Sequence, residues 1–192
     1  MGQYYTPIIK RSNNNFETYY SHDYNHGLKL MEHSYIGNSF VDTVLKQLYN
    51  NPGRLAWVGD YAEKDDYFNG TDLAVFIRES QDEDHELKNR KKPTATNGSF
   101  ASNKFVINLR TGEYINMAKY IDIAPKDSYG DQVHPVSLLT AVGNGRGGGD
   151  YFGDFESMVG DWAGDEIVVR DSEPTSGTDI TEDCTFAEEA EY

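Results

Sequence analysis

The chain has almost no cysteine: one residue, Cys184, in 192. A lone thiol closes no internal disulfide, so the fold must rest on buried apolar surface, and a reducing compartment is the natural setting. Long apolar runs are missing too. No stretch approaches the roughly eighteen residues that mark a membrane-spanning helix. The opening "MGQYYTPIIKR" lacks the basic-then-apolar order of a secretory leader. A cytoplasmic protein without membrane contact is expected. Basic residues are scarce: 17 Lys and Arg against 32 Asp and Glu, a net charge of −15. Neutralising phosphates takes clustered cations, and the one cluster runs from Lys88 to Lys92. Direct nucleic-acid binding is not expected. Catalytic and metal signatures are absent as well: no G-x-S-x-G elbow, no H-E-x-x-H pair and no cysteine ligand set. Neither a metal nor a cofactor is expected.

What is present reads as a folded domain. Aromatic residues make up 13% of the chain, fourteen of them Tyr, and the length suffices to bury a core without staples. Residues 3–9 and 16–20 are aromatic and β-branched on either side of "KRSNNN", which predicts a hairpin. Residues 39–50, "SFVDTVLKQLYN", place Phe40, Val41, Val44, Leu45 and Leu48 on one helical face, with Ser39 as the expected cap and Asn50 to Gly53 as the stop. "RLAWVGDYA", "LAVFIRES", "VSLLTAV" and "EIVVR" read as strands. "KFVINLRTGEYINMAKYI" alternates about Thr111-Gly112 as a second hairpin. Together these predict one α+β domain over residues 1–170, with a mainly antiparallel sheet and one clear packed helix. Residues 79–103, acidic then basic, read as a charged insertion. Residues 171–192 carry eight acids and no Lys or Arg, the composition of a flexible acidic tail whose removal leaves stability nearly unchanged.

Two stretches carry candidate chemistry. Six of the eleven residues from Gly143 to Gly153 are glycine. Gly143, Gly145 and Gly148 satisfy G-x-G-x-x-G, but Gly149, Asp150 and Gly153 oppose the helix a dinucleotide site needs, and no Lys-Ser/Thr follows for a P-loop. Two readings remain. In one, Gly143, Gly145, Gly147 and Gly148 turn N–H groups toward an anion beside Arg146 and Asp150. In the other, which the composition favours, the loop only turns the chain. Asp150, Asp154, Asp161 and Asp165 could serve a hard cation but fit no EF-hand spacing. The second stretch holds His22, Asp23, His26, Glu32 and His33 within twelve residues. His22, Asp23, His26 and His33 are candidates for proton transfer, against the simpler reading of polar loop histidines. Gly2 and Thr6 also fit the short myristoylation pattern, although a first strand starting at Gln3 explains the same residues.

The blocks "MGQYY", "SHDYNHGLKLMEHSYIGNSFV", "WVGDYA", "HPVSLLTAVGNGRGGGDYFG" and "VGDWAGDEI" jointly resemble a group of small bacterial and bacteriophage proteins that carry no assigned activity. The resemblance touches most of residues 1–170 and excludes the charged insertion and the acidic tail. It implies a mobile-element setting in a host cytoplasm and transfers no catalytic residue. The expectation is therefore a non-enzymatic acidic protein that binds a host macromolecule with a basic surface. The alternative is an enzyme or sensor for an anionic small molecule held by Gly143–Gly149.

Overall fold

Apolar alternation lays down the sheet, as expected. The structure is a computed structural model and describes residues 2–62, 68, 73, 77 and 89–188. In chain order its strands are β1 (Tyr5–Lys10), β2 (Phe16–Thr18), β3 (Gly53–Gly59), β4 (Phe105–Asn108), β5 (Glu113–Asn116), β6 (Ala141–Val142), β7 (Gly153–Asp154), β8 (Asp165–Arg170), β9 (Thr178–Asp179) and β10 (Ala187–Glu188). The helices are α1 (Leu30–His33), α2 (Ser39–Gln47), α3 (Met117–Ile123) and α4 (Pro135–Leu139), with 3₁₀ turns at Ser21–Tyr24 and Glu156–Met158. The main sheet runs β2-β1-β3-β8-β4-β5-β9. Its pairs are antiparallel except β5 with β9 and the short β6, which lies parallel to β3. One edge of β3 is thus shared: Gly53–Leu55 pair with β8, and Trp57 and Val58 pair with β6. A two-stranded sheet of β7 and β10 stands apart. This is an α+β fold with a mainly antiparallel sheet.

Both faces of the sheet are covered. Leu55 and Trp57 face a core with Ile9, Val106, Ile115, Ile167 and Val169, over which α2 lays Phe40, Val41, Val44, Leu45 and Leu48, all fully buried. Burying such a side chain contributes about 1.5–3 kcal/mol, and α2 is held chiefly by this face rather than by propensity. The alternate residues Ala56 and Val58 face a second cluster with Ile8, Phe68, Leu73, Ile77 and Val142.

Both expected hairpins form. The helix expected over 39–50 ends at Gln47 and is capped one residue earlier than Ser39: the Asn38 side chain accepts the N–H groups of Phe40 and Val41 at 2.9 and 3.2 Å. "VSLLTAV" is not one strand. Pro135, with its fixed φ and no N–H, opens α4 behind the His134 cap, and only Ala141–Val142 pair as strand. "MAKYI" likewise leaves the alternation and becomes α3, capped by Asn116. Of "LAVFIRES", only Leu73 and Ile77 are described; both are helical and buried rather than in a strand. Residues 79–88 of the expected insertion lie outside the described residues. Beyond them Asn89 and Lys91 hydrogen-bond to the backbone of Thr18, which ties this segment to the edge strand β2.

Residues 171–188 are docked on the domain, unlike the flexible tail expected over 171–192, whose last four residues lie outside the described ones. β9 pairs with β5, Tyr114 donates to Glu173 at 2.6 Å, and Ile180, Cys184 and Phe186 are buried in the main core. Four apolar positions were enough, because Asp171, Glu173, Asp179, Glu182 and Asp183 stay on the solvent side while Ile180, Cys184, Phe186 and the half-buried Ala187 face inward.

Candidate functional site

The glycine loop follows β6 and folds back over the first residues of the chain. Gly143, Gly145 and Gly149 have positive φ. The N–H groups of Arg146 and Gly147 do converge on one spot, as an anion nest requires. The occupant of that spot is the chain's own Asp150 carboxylate. Its Oδ2 accepts from Arg146 N at 2.8 Å and Gly147 N at 2.9 Å. Gln3 Nε2 donates to the same carboxylate at 3.0 and 3.1 Å, and the Tyr5 hydroxyl donates at 3.1 Å. Asp150, Gln3 and Tyr5 are all buried. Burial first, and then the facing Asp150 charge, pushes the Tyr5 phenol well above its ordinary value, which keeps it a donor.

Asp150 thus fills the spot that the cradle reading of Gly143, Gly145, Arg146, Gly147, Gly148 and Asp150 gives to an external anion. The converging donors serve an internal anion, and Arg146 directs a guanidinium nitrogen at the Tyr61 carbonyl, 3.1 Å away. The loop's glycines serve close approach instead. A Cβ on Gly147 would stand 2.7 Å from the backbone nitrogen of Gln3, and Gly148 forms a bridge with Gly2. The loop is a clasp on the first strand. The sequence signal for it lay in Gln3 and Tyr5, a buried amide and phenol on alternate residues, which periodicity alone assigned to a plain strand.

A groove of about 450 Å³ lies beside the loop, lined by Gly143, Asn144, Arg146, Glu156, Gly160 and Asp161. Two carboxylates against one guanidinium make its charge unfavourable for an anion. A smaller cavity of about 160 Å³ is lined by residues that include Ser34, Tyr35, Lys126, Asp131 and Gln132.

The histidine stretch is not assembled into a site. His33 is fully buried in the core. Its Nδ1–H donates to the Gly27 carbonyl at 2.9 Å, and its Nε2 accepts the Trp57 indole N–H at 2.8 Å. Burial holds it neutral, down at about 4. His26 lies 2.9 Å from Ser39 Oγ and accepts from the Asn38 amide at 3.1 Å; burial lowers it too. His26 thus pins the loop of residues 25–29 to the start of α2, and His33 pins it to β3. His22 is exposed and turned toward the Tyr20 hydroxyl at 3.2 Å. Asp23 faces Arg90 at 2.6 Å and Lys92 at 3.2 Å. Burial would raise the Asp23 carboxyl, but hydrogen bonds and charge from Arg90 and Lys92 outweigh it and hold the group below the usual range. His22, Asp23, His26 and His33 thus face different partners and are not brought together as one acid–base group. His134, which the sequence did not single out, is buried and neutral, down at about 3, with Nδ1 accepting the Val136 N–H as the cap of α4. Among the described residues no group of three or more His, Cys, Asp or Glu side chains is placed to hold a metal ion. Among them, too, no helix is long and apolar enough to cross a membrane. Compared with protein-family models, curated proteins and solved structures, the chain matches none.

Proposed function

We propose that the protein is a non-enzymatic, acidic interaction protein whose partner is a macromolecule with a basic surface. Following the sequence resemblance, we place it as an accessory protein of a bacteriophage or other mobile element, acting on a host protein in the host cytoplasm. The distribution of charge carries this reading. Arg11, Arg90, Lys92, Lys104, Arg110 and Lys119 each face a carboxylate of the same chain. From Gly147 to Val169 there is no Lys or Arg, and Asp154, Glu156, Asp161 and Glu166 are exposed. The surface therefore offers unbalanced negative charge, which steers a basic partner and repels polyanions and anionic membranes. The rival reading, a sensor for a phosphate-bearing small molecule, loses its main support because Asp150 fills the loop's donors.

The test is capture of host proteins on the immobilised chain at low and at high salt, followed by calorimetry with each purified partner. The expected partner is basic, binds directly, and weakens with salt. Retention equal to that of an unrelated acidic protein of matched charge sinks the proposal. In the same preparation, phosphate and nucleotides should leave the melting temperature unchanged; a saturable rise that Arg146→Ala abolishes restores the rival.

A further inference from the structure

Four non-glycine residues among those described have positive φ. Three are asparagine, which tolerates the left-handed region: Asn14, Asn25 and Asn50. The fourth is Phe155, at φ 63° and ψ 21°. A bulky side chain in that region is strained, and glycine or asparagine would relieve the strain. The fold recovers little from the ring, which is 45% exposed. Three residues earlier Phe152 is 53% exposed. Large apolar side chains this exposed within four residues of each other are informative in a way that single ones are not.

The frame under these rings is fixed. Between them lies β7, paired with β10 so that Gly153 stands opposite Glu188. Tyr151 is fully buried, its ring edge-on to Phe186 at 5.5 Å, its hydroxyl within reach of the Asp154 and Ala187 carbonyls. Asn144 closes the other side through two hydrogen bonds with the Tyr151 backbone, at 2.8 and 2.9 Å. Anchored and strained together, the segment presents aromatic surface at little further cost in ordering, the condition for an anchor residue. Its exposed charge is mostly acidic: Asp154, Glu156, Asp161 and Glu166 are exposed along a stretch from Gly147 to Val169 that has no Lys or Arg of its own, and Arg146 lines the groove beside Glu156 and Asp161.

We infer that residues 152–156 form the docking element for a protein surface that offers an apolar recess rimmed by Lys or Arg. The inference rests on the acidic-interaction reading and names the part of the surface that carries it. A second copy of this chain is the wrong occupant, because it brings the same acidic segment and a net charge of −15. An anionic lipid surface is repelled for the same reason.

The test uses the full chain, isotope-labelled, and two synthetic peptides of equal length and charge. One is an amphipathic helix of Lys and Leu, whose apolar stripe is rimmed by cations; the other replaces Leu by Ser. The Lys/Leu peptide should bind saturably, shift the amide resonances of residues 152–156, and weaken as salt rises. Phe155→Gly should weaken it by roughly tenfold or more, as truncating an aromatic anchor does, while the melting temperature stays the same or rises because glycine accepts the left-handed conformation. Phe152→Ser should weaken it without unfolding the chain, and Asp154→Asn with Glu156→Gln should flatten the salt dependence. If Phe155→Gly instead lowers the melting temperature and leaves binding intact, the ring is structural and the inference is wrong. Equal binding of both peptides, or shifts confined to another surface, removes the aromatic element but keeps the acidic reading. Binding of neither removes both. Concentration-dependent shifts at 152–156 without peptide identify a second copy as the occupant and overturn the assignment.

Discussion

Asp150→Ala is the sharpest test of the clasp between the glycine loop and the first strand. The carboxylate accepts from four groups: the N–H groups of Arg146 and Gly147, the Gln3 amide and the Tyr5 hydroxyl. Hydrogen bonds to a charged group contribute about 1.5–3 kcal/mol each, but not all four are lost outright. Arg146 is exposed and Gly147 half-buried, so their N–H groups regain water. Gln3 keeps its bond to the Gly143 carbonyl at 2.8 Å. The Tyr5 hydroxyl is left buried without its acceptor. Two bonds' worth of net loss at the lower end of that range, about 3–4 kcal/mol, is the reasoned magnitude, equivalent to about 10 °C in melting temperature for a domain of this size. Asp150→Asn should lose nearly as much, because its amide turns a donor toward donors. Urea unfolding followed by circular dichroism reads the effect as a lower midpoint at constant m. A loss below about 1 kcal/mol for Asp150→Ala refutes the view that an internal anion holds this loop.

Four further outcomes follow from the same packing. Phe186→Ala should cost about 3–5 kcal/mol, and truncation after Asp171 should leave a chain that does not unfold cooperatively; a truncated chain with the full-length midpoint would show the C-terminal segment to be dispensable. His33 and His134 are held neutral at about 4 and about 3 against an ordinary 6.5. The unfolded chain therefore takes up protons below about pH 6.5 that the folded chain refuses, and stability falls on acidification toward pH 4 by up to about 1.4 kcal/mol per unit for each histidine. A midpoint that stays flat from pH 7 to 4.5 would contradict this. Burial pushes the Cys184 thiol up to about 12, so iodoacetamide should modify it at the rate of unfolding, and prompt labelling of the native protein would show it accessible.

The parts of the fold read correctly from sequence were those with a local signature. α2 announced itself by five apolar residues on one face, and both hairpins by alternation around polar turns. The errors came where tertiary partners decide. "VSLLTAV" is as apolar in a buried helix as in a strand, and only Pro135 at its head hinted at α4. The C-terminal segment was read by its charge, whereas its few apolar residues settle its place once β5 and the core are there to receive them. The glycine loop was recognised as a place where donors could converge. Its occupant was not, because nothing in the spacing ties Asp150 to Gln3, 147 residues away. The histidines misled for a related reason: proximity in sequence put them together, while hydrogen bonds to Gly27, Ser39 and Trp57 set them apart.

The strand order has a consequence for how the chain acquires its shape. β8 lies between β3 and β4 in the middle of the main sheet, yet it is synthesised more than a hundred residues after β3 and well after both hairpins. Until residues 165–170 leave the ribosome, the edge of β3 that carries Leu55 and the outer edge of β4 have no partner, and the two halves of the sheet cannot join. The clasp of Gly147 and Asp150 on Gln3 also forms late. Closing pairings so distant in sequence is slow, and unpaired apolar strands are exposed meanwhile. The main sheet therefore cannot close until residues 165–170 take their place between β3 and β4, and both edges stay open to wrong pairing until then.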